Sequence, residues 1–332
     1  MVNLKSMPIM KNELTPEKII NNWPSQFDGH LHYCIGLSGG IDSIVLLHLF
    51  HQISQLKPLR LSAIHVNHGI SPYADDWSIF CQQICHQLNI PLECRYVKVN
   101  KIAGQGLENS ARKLRYQEYA ATNAEVLILA HHADDQIETM LSQIMRGTNL
   151  HNSAGMLAIS NKFDKYFWRP LLNYSKSQLQ NYANAYQLSH INDESNADNS
   201  YLRNFIRNKI MPELAAYDPQ INPKLLQSVT QLQNSVALAD DIANSDYHNI
   251  YTIKNQLDRH KFIALSQLRQ ENLLAFYIRQ HLGQIPSHKQ LQEFIRQSQQ
   301  VKNGRHPQLK IGNHATLIAD YRHIYIVEHQ TT

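Results

Sequence analysis

Four short apolar runs, HYCIGL (32–37), LRLSAIHV (59–66), LECRYVKV (92–99) and EVLILAH (125–131), alternate with amphipathic stretches at IVLLHLFHQI (44–53), DWSIFCQQICHQL (76–88) and ENSARKLRYQEYAATN (108–123). A run of four to eight apolar residues suits a strand, and the longer periodic stretches suit helices. Their alternation predicts βαβ units and a mostly parallel, Rossmann-like α/β sheet. Ligands of such a sheet bind beyond the carboxyl ends of the strands. In this chain two of those ends carry unusual polar residues.

The first is Ser38-Gly39-Gly40-Ile41-Asp42-Ser43, between the first strand and the first long helix. Gly39 and Gly40 let the backbone turn tightly and approach a ligand. The helix start offers unpaired N–H groups to a phosphate. Ser38 and Ser43 add hydroxyl donors. Asp42 would repel phosphate oxygens unless a divalent cation, usually Mg2+, lay between them. The competing reading is a plain strand-to-helix turn capped by Ser and Asp. GxxxxGK[ST] does not occur, so this is not a Walker A loop.

The second is His131-His132-Ala133-Asp134-Asp135-Gln136-Ile137-Glu138-Thr139, at the end of the fourth strand. Asp135 and Glu138 stand i, i+3 on one helix face, where they can hold an ammonium group or a metal ion, or simply favour the helix dipole. Adjacent histidines in extended chain point to opposite faces, which argues against a metal site built from His131 and His132.

Farther along, YLRNFIRNKIMPEL (201–214) predicts a short amphipathic helix stopped by Pro212. Arg203 and Arg207, with Asn204 and Asn208 beside them, form a polar face suited to a phosphate or a base, or to ion pairs with the nearby DESNAD segment. Residues 221 to about 300 read as mostly helical, and LKIGNHATLIADYRHIYIVE as short antiparallel strands. At 332 residues two domains are expected, with a boundary near 215: a catalytic domain (1–215) and a smaller, mostly helical accessory domain (216–332) ending in short strands.

Charge is unevenly placed, with 12 basic against 13 acidic side chains in residues 1–150 and 19 against 14 in 151–332. The basic second part suits a polyanion. No apolar run approaches the roughly 20 residues that span a bilayer. The start, MVNLKSMPIMKNELTPEK, has no continuous apolar stretch of the signal-peptide kind. A cytoplasmic protein with no membrane partner is the expectation. Cys34, Cys81, Cys85 and Cys94 contain no CxxC pair and read as reduced core thiols.

The six residues 38–43 resemble the pyrophosphate (PP) loop of the N-type ATP pyrophosphatases. SGGIDS, HVNHGIS (65–71), LENSARKLRYQEY (107–119), HHADDQIET, RGTNL (146–150), RPLL (169–172) and DESNADNSYLRNFIRNKIMP (193–212) follow in the order found in bacterial tRNA(Ile)-lysidine synthetases. This resemblance covers nearly all of residues 30–212. It implies that Ser38, Gly39, Gly40, Ile41, Asp42 and Ser43 bind ATP with Mg2+, and that Asp135 and Glu138 attend the lysine substrate. Arg112 and Arg115 match basic positions near the ATP and substrate phosphates, or else face solvent. Arg203, Asn204 and Arg207 are candidates for substrate contact. His65 and His68 are either close to the adenosine pocket or structural.

The implied reaction adenylates the wobble cytidine of a CAU anticodon in tRNA(Ile), releasing diphosphate, and then joins L-lysine to it with release of AMP. The rivals are a tRNA thiolase that shares the adenylation step and a tRNA-binding module without catalysis. By resemblance a homodimer is plausible, and the chain looks like a shorter form without a second C-terminal domain. RGTNLHNSAGM (146–156) departs from the more glycine-rich RGxGxxGLxGM pattern at Asn149 and His151.

Overall fold

The computed structural model describes residues 14–27, 31–99, 107–252, 255–301, 306–312 and 315–329, with the side chains of 107–109 excepted. Residues 1–13 of the opening segment read for targeting signals, Glu108 and Asn109 as side chains, and part of the GNH turn lie outside these. In chain order come α1 (Pro16–Asn21), β1 (His32–Gly36), α2 (Ile41–Leu56), β2 (Arg60–Asn67), α3 (Ala74–Gln87), β3 (Leu92–Tyr96), α4 (Leu107–Ala120), β4 (Val126–Ile128) and α5 (Ala133–Met145). They are followed by α6 (Leu150–Ser153), β5 (Ile159–Lys162), β6 (Lys165–Trp168) and α7 (Lys176–Ala185).

All four apolar runs are strands of one sheet, in the order β3-β2-β1-β4-β6-β5. β1 is central, with Ile35 beside Ala63 of β2 and Ile128 of β4, both pairings parallel. Its residues alternate between two cores, as a period of two demands. Tyr33 and Ile35 pack with Leu46, Leu47 and Phe50 of α2. Cys34 joins Ile64, Tyr119, Leu127 and Phe167 on the other face. Helices on both faces explain why β1 reads as an apolar run instead of an alternation. The fully buried Phe50 is worth ~2–3 kcal/mol in area removed from water.

Residues 147–200, which lie outside the four apolar runs, contribute two further strands. β6 pairs parallel with β4, and β5 returns antiparallel on β6. The chain moves outward from β1 through β2 to β3 and then crosses back to β4. The resulting crevice at the carboxyl ends of β1 and β4 is where an open α/β sheet binds its ligand.

Pro212 does not stop its helix. α8 (Leu202–Phe205) runs into a π turn, Ile206–Ile210, and continues as α9 (Met211–Tyr217) with Pro212 in its first turn. The π turn has already interrupted the i to i−4 ladder. The proline's missing N–H then falls where it has little cost.

The described residues divide into two compact units. The first holds the chain up to Glu138 together with Met156–Asn222, and the second holds Thr139–Gly155 with Pro223 onward. The second contains most of α10 (Ile221–Ile250), then β7 (Tyr251–Thr252), β8 (Gln256–Asp258), α11 (Arg259–Ile263), α12 (Gln267–Leu282), α13 (His288–Gln299), β9 (Gln308–Ile311), β10 (Ala315–Ala319) and β11 (His323–Glu328). Its sheet runs β7-β8-β11-β10-β9, all antiparallel. Leu257, Phe262, Leu274, Ile278, Phe294 and Leu317 form its core. Asn149 and His151 are tied into this unit. The Asn149 side chain accepts from Asn152 N at 3.0 Å, and His151 Nε2 lies 3.0 Å from Asp240, which also accepts from Arg279 at 2.6 Å.

Candidate active site

Residues 38–43 link β1 to α2 and are braced from inside. Ser43 Oγ donates to Gly40 O at 2.9 Å and accepts from Ser38 N at 3.2 Å. Gly40 N donates to Ser38 Oγ at 3.3 Å. Gly39 has φ +86, and a Cβ there would collide with Ile191. Ile191 N also donates to Gly39 O at 2.9 Å, so that residue locks the loop from behind. Gly40 caps α2 without any side-chain bond to its first turn, which leaves that helix start free to meet an anion.

Two cavities meet at this loop. The larger, about 420 Å³, opens between Ser38, His65–Pro72, Trp77, Arg115, Tyr119 and Asp193–Ser195. The smaller, about 170 Å³, is lined by Gly36, Ser38, Asp42, Ser43, Arg115, Tyr116, Tyr119, His131 and Asp135. Ser38, Arg115 and Tyr119 face both. Arg115 is therefore a wall of the site, whereas Arg112, one helical turn earlier, is exposed and rests on Tyr116, with its guanidinium 5.2 Å from that ring's centroid.

His65 sits in the wall of the larger cavity. Its Nδ1 donates to Leu37 O at 2.9 Å, which fixes Nε2 as an acceptor, and among the described residues Nε2 is buried without a hydrogen-bond partner. Burial, helped by the Arg115 charge, pushes His68 down to about 4. Both rings are neutral near pH 7.

Around the smaller cavity the charges interlock. Arg203 Nε donates to Glu138 Oε2 at 2.8 Å and its Nη2 to Asp135 Oδ1 at 2.5 Å. Arg207 Nε donates to Glu138 Oε1 at 2.6 Å and its Nη2 to Oε2 at 2.8 Å. Arg203 lies in α8 and Arg207 within the π turn that follows it, and both reach the same carboxylates. The DESNAD segment is bound by Asn204 and Asn208, which donate to the carbonyls of Ser195, Asp198 and Asn196. Burial works against the Asp135 charge, yet His132 and Arg203 outweigh it and hold the carboxyl down at about 2.

Asp42, expected to face a cation, faces one from the protein. Lys176 Nζ donates to both of its oxygens, at 2.6 and 2.8 Å. The Lys176 backbone N–H donates to Asp134 Oδ2 at 2.8 Å, and His132 stands among Asp42, Asp134 and Asp135 at 3.5–3.7 Å. Burial lowers the His132 affinity for a proton, but the three carboxylates, Asp134 first, raise it above the ordinary value. His131 turns the other way, into the smaller cavity, and burial drives it down to about 3. Neither Lys176 nor His132 was singled out as functional by the sequence reading. A signal existed for Lys176: a lysine directly after the Ser175 cap of α7 opposes the helix dipole, so it needs a nearby anion.

No group of three or more His, Cys, Asp or Glu side chains suited to a metal ion occurs among the described residues. The single Asp42 carboxylate fits Mg2+, which commonly takes one or two carboxylates and completes its shell with phosphate oxygens and water.

A PP-loop domain family matches residues 11–214, and a TilS substrate binding domain family matches residues 257–325. The tRNA(Ile)-lysidine synthase of Histophilus somni (strain 129Pt) is 38% identical over 299 residues, which is 89% of this chain and 69% of that protein. The chain belongs to the tRNA(Ile)-lysidine synthase family. That of Nitrosomonas europaea is 38% identical over 276 residues, covering 82% of this chain and 60% of that protein. The chain thus spans about three fifths to two thirds of the length of such relatives. Among solved structures, the U34-tRNA thiolase NcsA from Methanococcus maripaludis with its [4Fe-4S] cluster aligns with a TM-score of 0.55 at 17% identity, covering 65% of this chain and 76% of that one. This likeness is one of fold.

Proposed function

We propose that the protein ligates lysine to the wobble cytidine of the CAU anticodon of tRNA(Ile), using ATP and giving lysidine, in the cytoplasm. The observation that carries this reading is the pair of cavities sharing Ser38 and Arg115, one large enough for a nucleoside and the other lined by Asp42 and Asp135. ATP enters with its adenosine in the larger cavity and its phosphates over residues 38–43. The helix start of α2, the two serine hydroxyls and Arg115 supply the positive field. Mg2+ held by Asp42 would neutralise phosphate charge. Lys176, released from Asp42, then meets a phosphate oxygen.

In the first step the cytosine O2 attacks the α-phosphorus and the bond to the β-phosphate oxygen breaks, releasing diphosphate. In the second the lysine ε-amine attacks C2, the C2–O bond breaks, AMP leaves and the amine gives up a proton. The protein's share is positioning and charge stabilisation. Asp135 and Glu138, held beside Arg203 and Arg207, form a mixed set of two carboxylates and two guanidinium groups. Such a set matches the ammonium and carboxylate of a free amino acid and leaves its ε-amine to react. Residues 257–325, with the excess of basic side chains after residue 150, suit contact with tRNA phosphates. We take the active species to be a homodimer, on family resemblance.

The thiolase reading is less well supported. Burial pushes Cys34 up to about 11 and both Cys81 and Cys85 to about 12, so these thiols stay protonated and are poor sulfur carriers.

The test of the first step is exchange of labelled diphosphate into ATP. Exchange that requires tRNA(Ile) and disappears in Asp42→Ala is expected. Exchange that proceeds without tRNA would contradict cytidine as the attacking group.

A further inference from the structure

One charge in the larger cavity is at odds with a triphosphate. Asp193 lines that cavity and is half-buried. Among the described residues its carboxylate makes a single hydrogen bond, Oδ1 accepting from Ser195 N at 2.9 Å. A carboxylate can accept about four such bonds, so Oδ2 is left with its full capacity. The phosphates of a nucleotide would be repelled by this group unless the part of the ligand lying there carried hydrogen-bond donors. Adenosine has two sets of donors, the ribose hydroxyls and the 6-amino group.

Position in the chain decides between them. Ile191 N donates to Gly39 O at 2.9 Å, and Ile191 bridges Gly40 in parallel register, so this segment runs beside the phosphate loop. Two residues of extended chain span about 7 Å, which places Asp193 at the reach of a sugar whose phosphates sit on residues 38–43. The 6-amino group lies at the far end of the base. Asp193 is also held in place. It caps the single 3-10 turn Glu194–Ala197. Asn204 donates to the carbonyls of Ser195 and Asp198, and Asn208 to that of Asn196, each at 2.9 Å. The same helical stretch carries Arg203 and Arg207 to Asp135 and Glu138, so it positions acids of both cavities.

We propose that Asp193 selects a ribonucleotide, its Oδ2 accepting a hydrogen bond from the ribose hydroxyls of ATP. This rests on the nucleotide reading of the larger cavity given above. A sugar without hydroxyls is penalised twice: the bond is lost, and the carboxylate is left unpaired beside the phosphates.

The experiment is calorimetric titration of the full chain, without tRNA, with the Mg2+ complexes of ATP, of 2′,3′-dideoxy-ATP and of purine riboside triphosphate, which lacks the 6-amino group. The parent should bind the dideoxy analogue about tenfold more weakly than ATP, the scale of one bond to a charged acceptor. Asp193→Ala should weaken ATP by about that factor and bind ATP and the dideoxy analogue alike to within about twofold. Asp193→Asn keeps an acceptor for Ser195 N, so it should melt with the parent, and its preference for ATP should fall between the two because a neutral bond is weaker than a charged one. An acid felt only as charge would give the opposite sign, since its removal would tighten all three nucleotides. Equal affinity of the parent for ATP and the dideoxy analogue, or a preference undiminished in both variants, overturns the proposal and leaves the nucleotide site standing. Variants that lose discrimination only against purine riboside triphosphate would move the contact to the base and overturn it too. A parent protein that binds no nucleotide overturns both.

Discussion

Lys176 Nζ donates to both carboxylate oxygens of Asp42, at 2.6 and 2.8 Å, across 134 residues of chain. The lysine side chain is 43% exposed, so the pair itself stabilises the fold by at most about 1 kcal/mol. Its place on the phosphate loop matters more. Lys176→Ala should leave the melting temperature nearly unchanged and raise the KM for ATP by about tenfold, the scale of one charge-assisted bond. Initial rates over an ATP titration check this, and an unchanged KM would remove Lys176 from the phosphate site.

Glu138 is buried and takes three of the hydrogen bonds from Arg203 and Arg207. Glu138→Ala leaves two guanidinium groups facing each other without their main anion. The loss of stability should be ~3 kcal/mol, as for breaking a buried pair. Urea denaturation measures it, and a change under about 0.5 kcal/mol would mean that the arginines find other partners at no cost.

Gly39 has φ +86 and Ile191 directly behind it. Gly39→Ala meets strain and collision together, so stability should fall by ~1–3 kcal/mol and ATP binding should be lost with the loop's shape. Equilibrium dialysis with ATP, alongside a melt, separates the two effects. Normal ATP binding by this variant would show that the loop can be rebuilt around a side chain.

The neighbouring histidines give opposite pH signatures. His131 sits at about 3 in the folded protein against about 6.5 unfolded, so its contribution is complete above pH 6.5 and is lost as pH falls toward 3. His132 is raised, so its contribution is complete below pH 6.5 and fades as pH rises through the folded value. Between pH 6.5 and 5 the His131→Gln variant should lose stability less steeply than the parent, by up to about 1.4 kcal/mol per pH unit. Parallel pH curves for the two proteins would show that His131 is not held neutral.

The sheet was largely legible from its apolar runs, because β1, β2 and β4 are buried on both faces and carry few polar residues to confuse the period. β5 and β6 escaped notice. Tyr166, Phe167 and Trp168 alone mark β6, and the edge strand β5, ISNK, is mostly polar. The loop 38–43 announced itself through its glycines. The partner of its carboxylate did not: a lysine at the start of α7 calls for some nearby anion, and only the fold makes that anion Asp42. Pro212 misled for a similar reason: a π turn two to six residues upstream changes what a proline costs, and nothing in IRNKI signals that turn.

The central claim is that this site joins lysine to tRNA(Ile). The direct measurement incubates the protein with Mg2+-ATP, labelled lysine and a tRNA(Ile) transcript bearing a CAU anticodon, with tRNA(Met) as control, and analyses the digested RNA by mass spectrometry. Label confined to one cytidine of the tRNA(Ile) transcript, and absent with Asp42→Ala, is the predicted result. Tight binding of the transcript with no lysine transferred would contradict the ligase account and leave a tRNA-binding protein in its place.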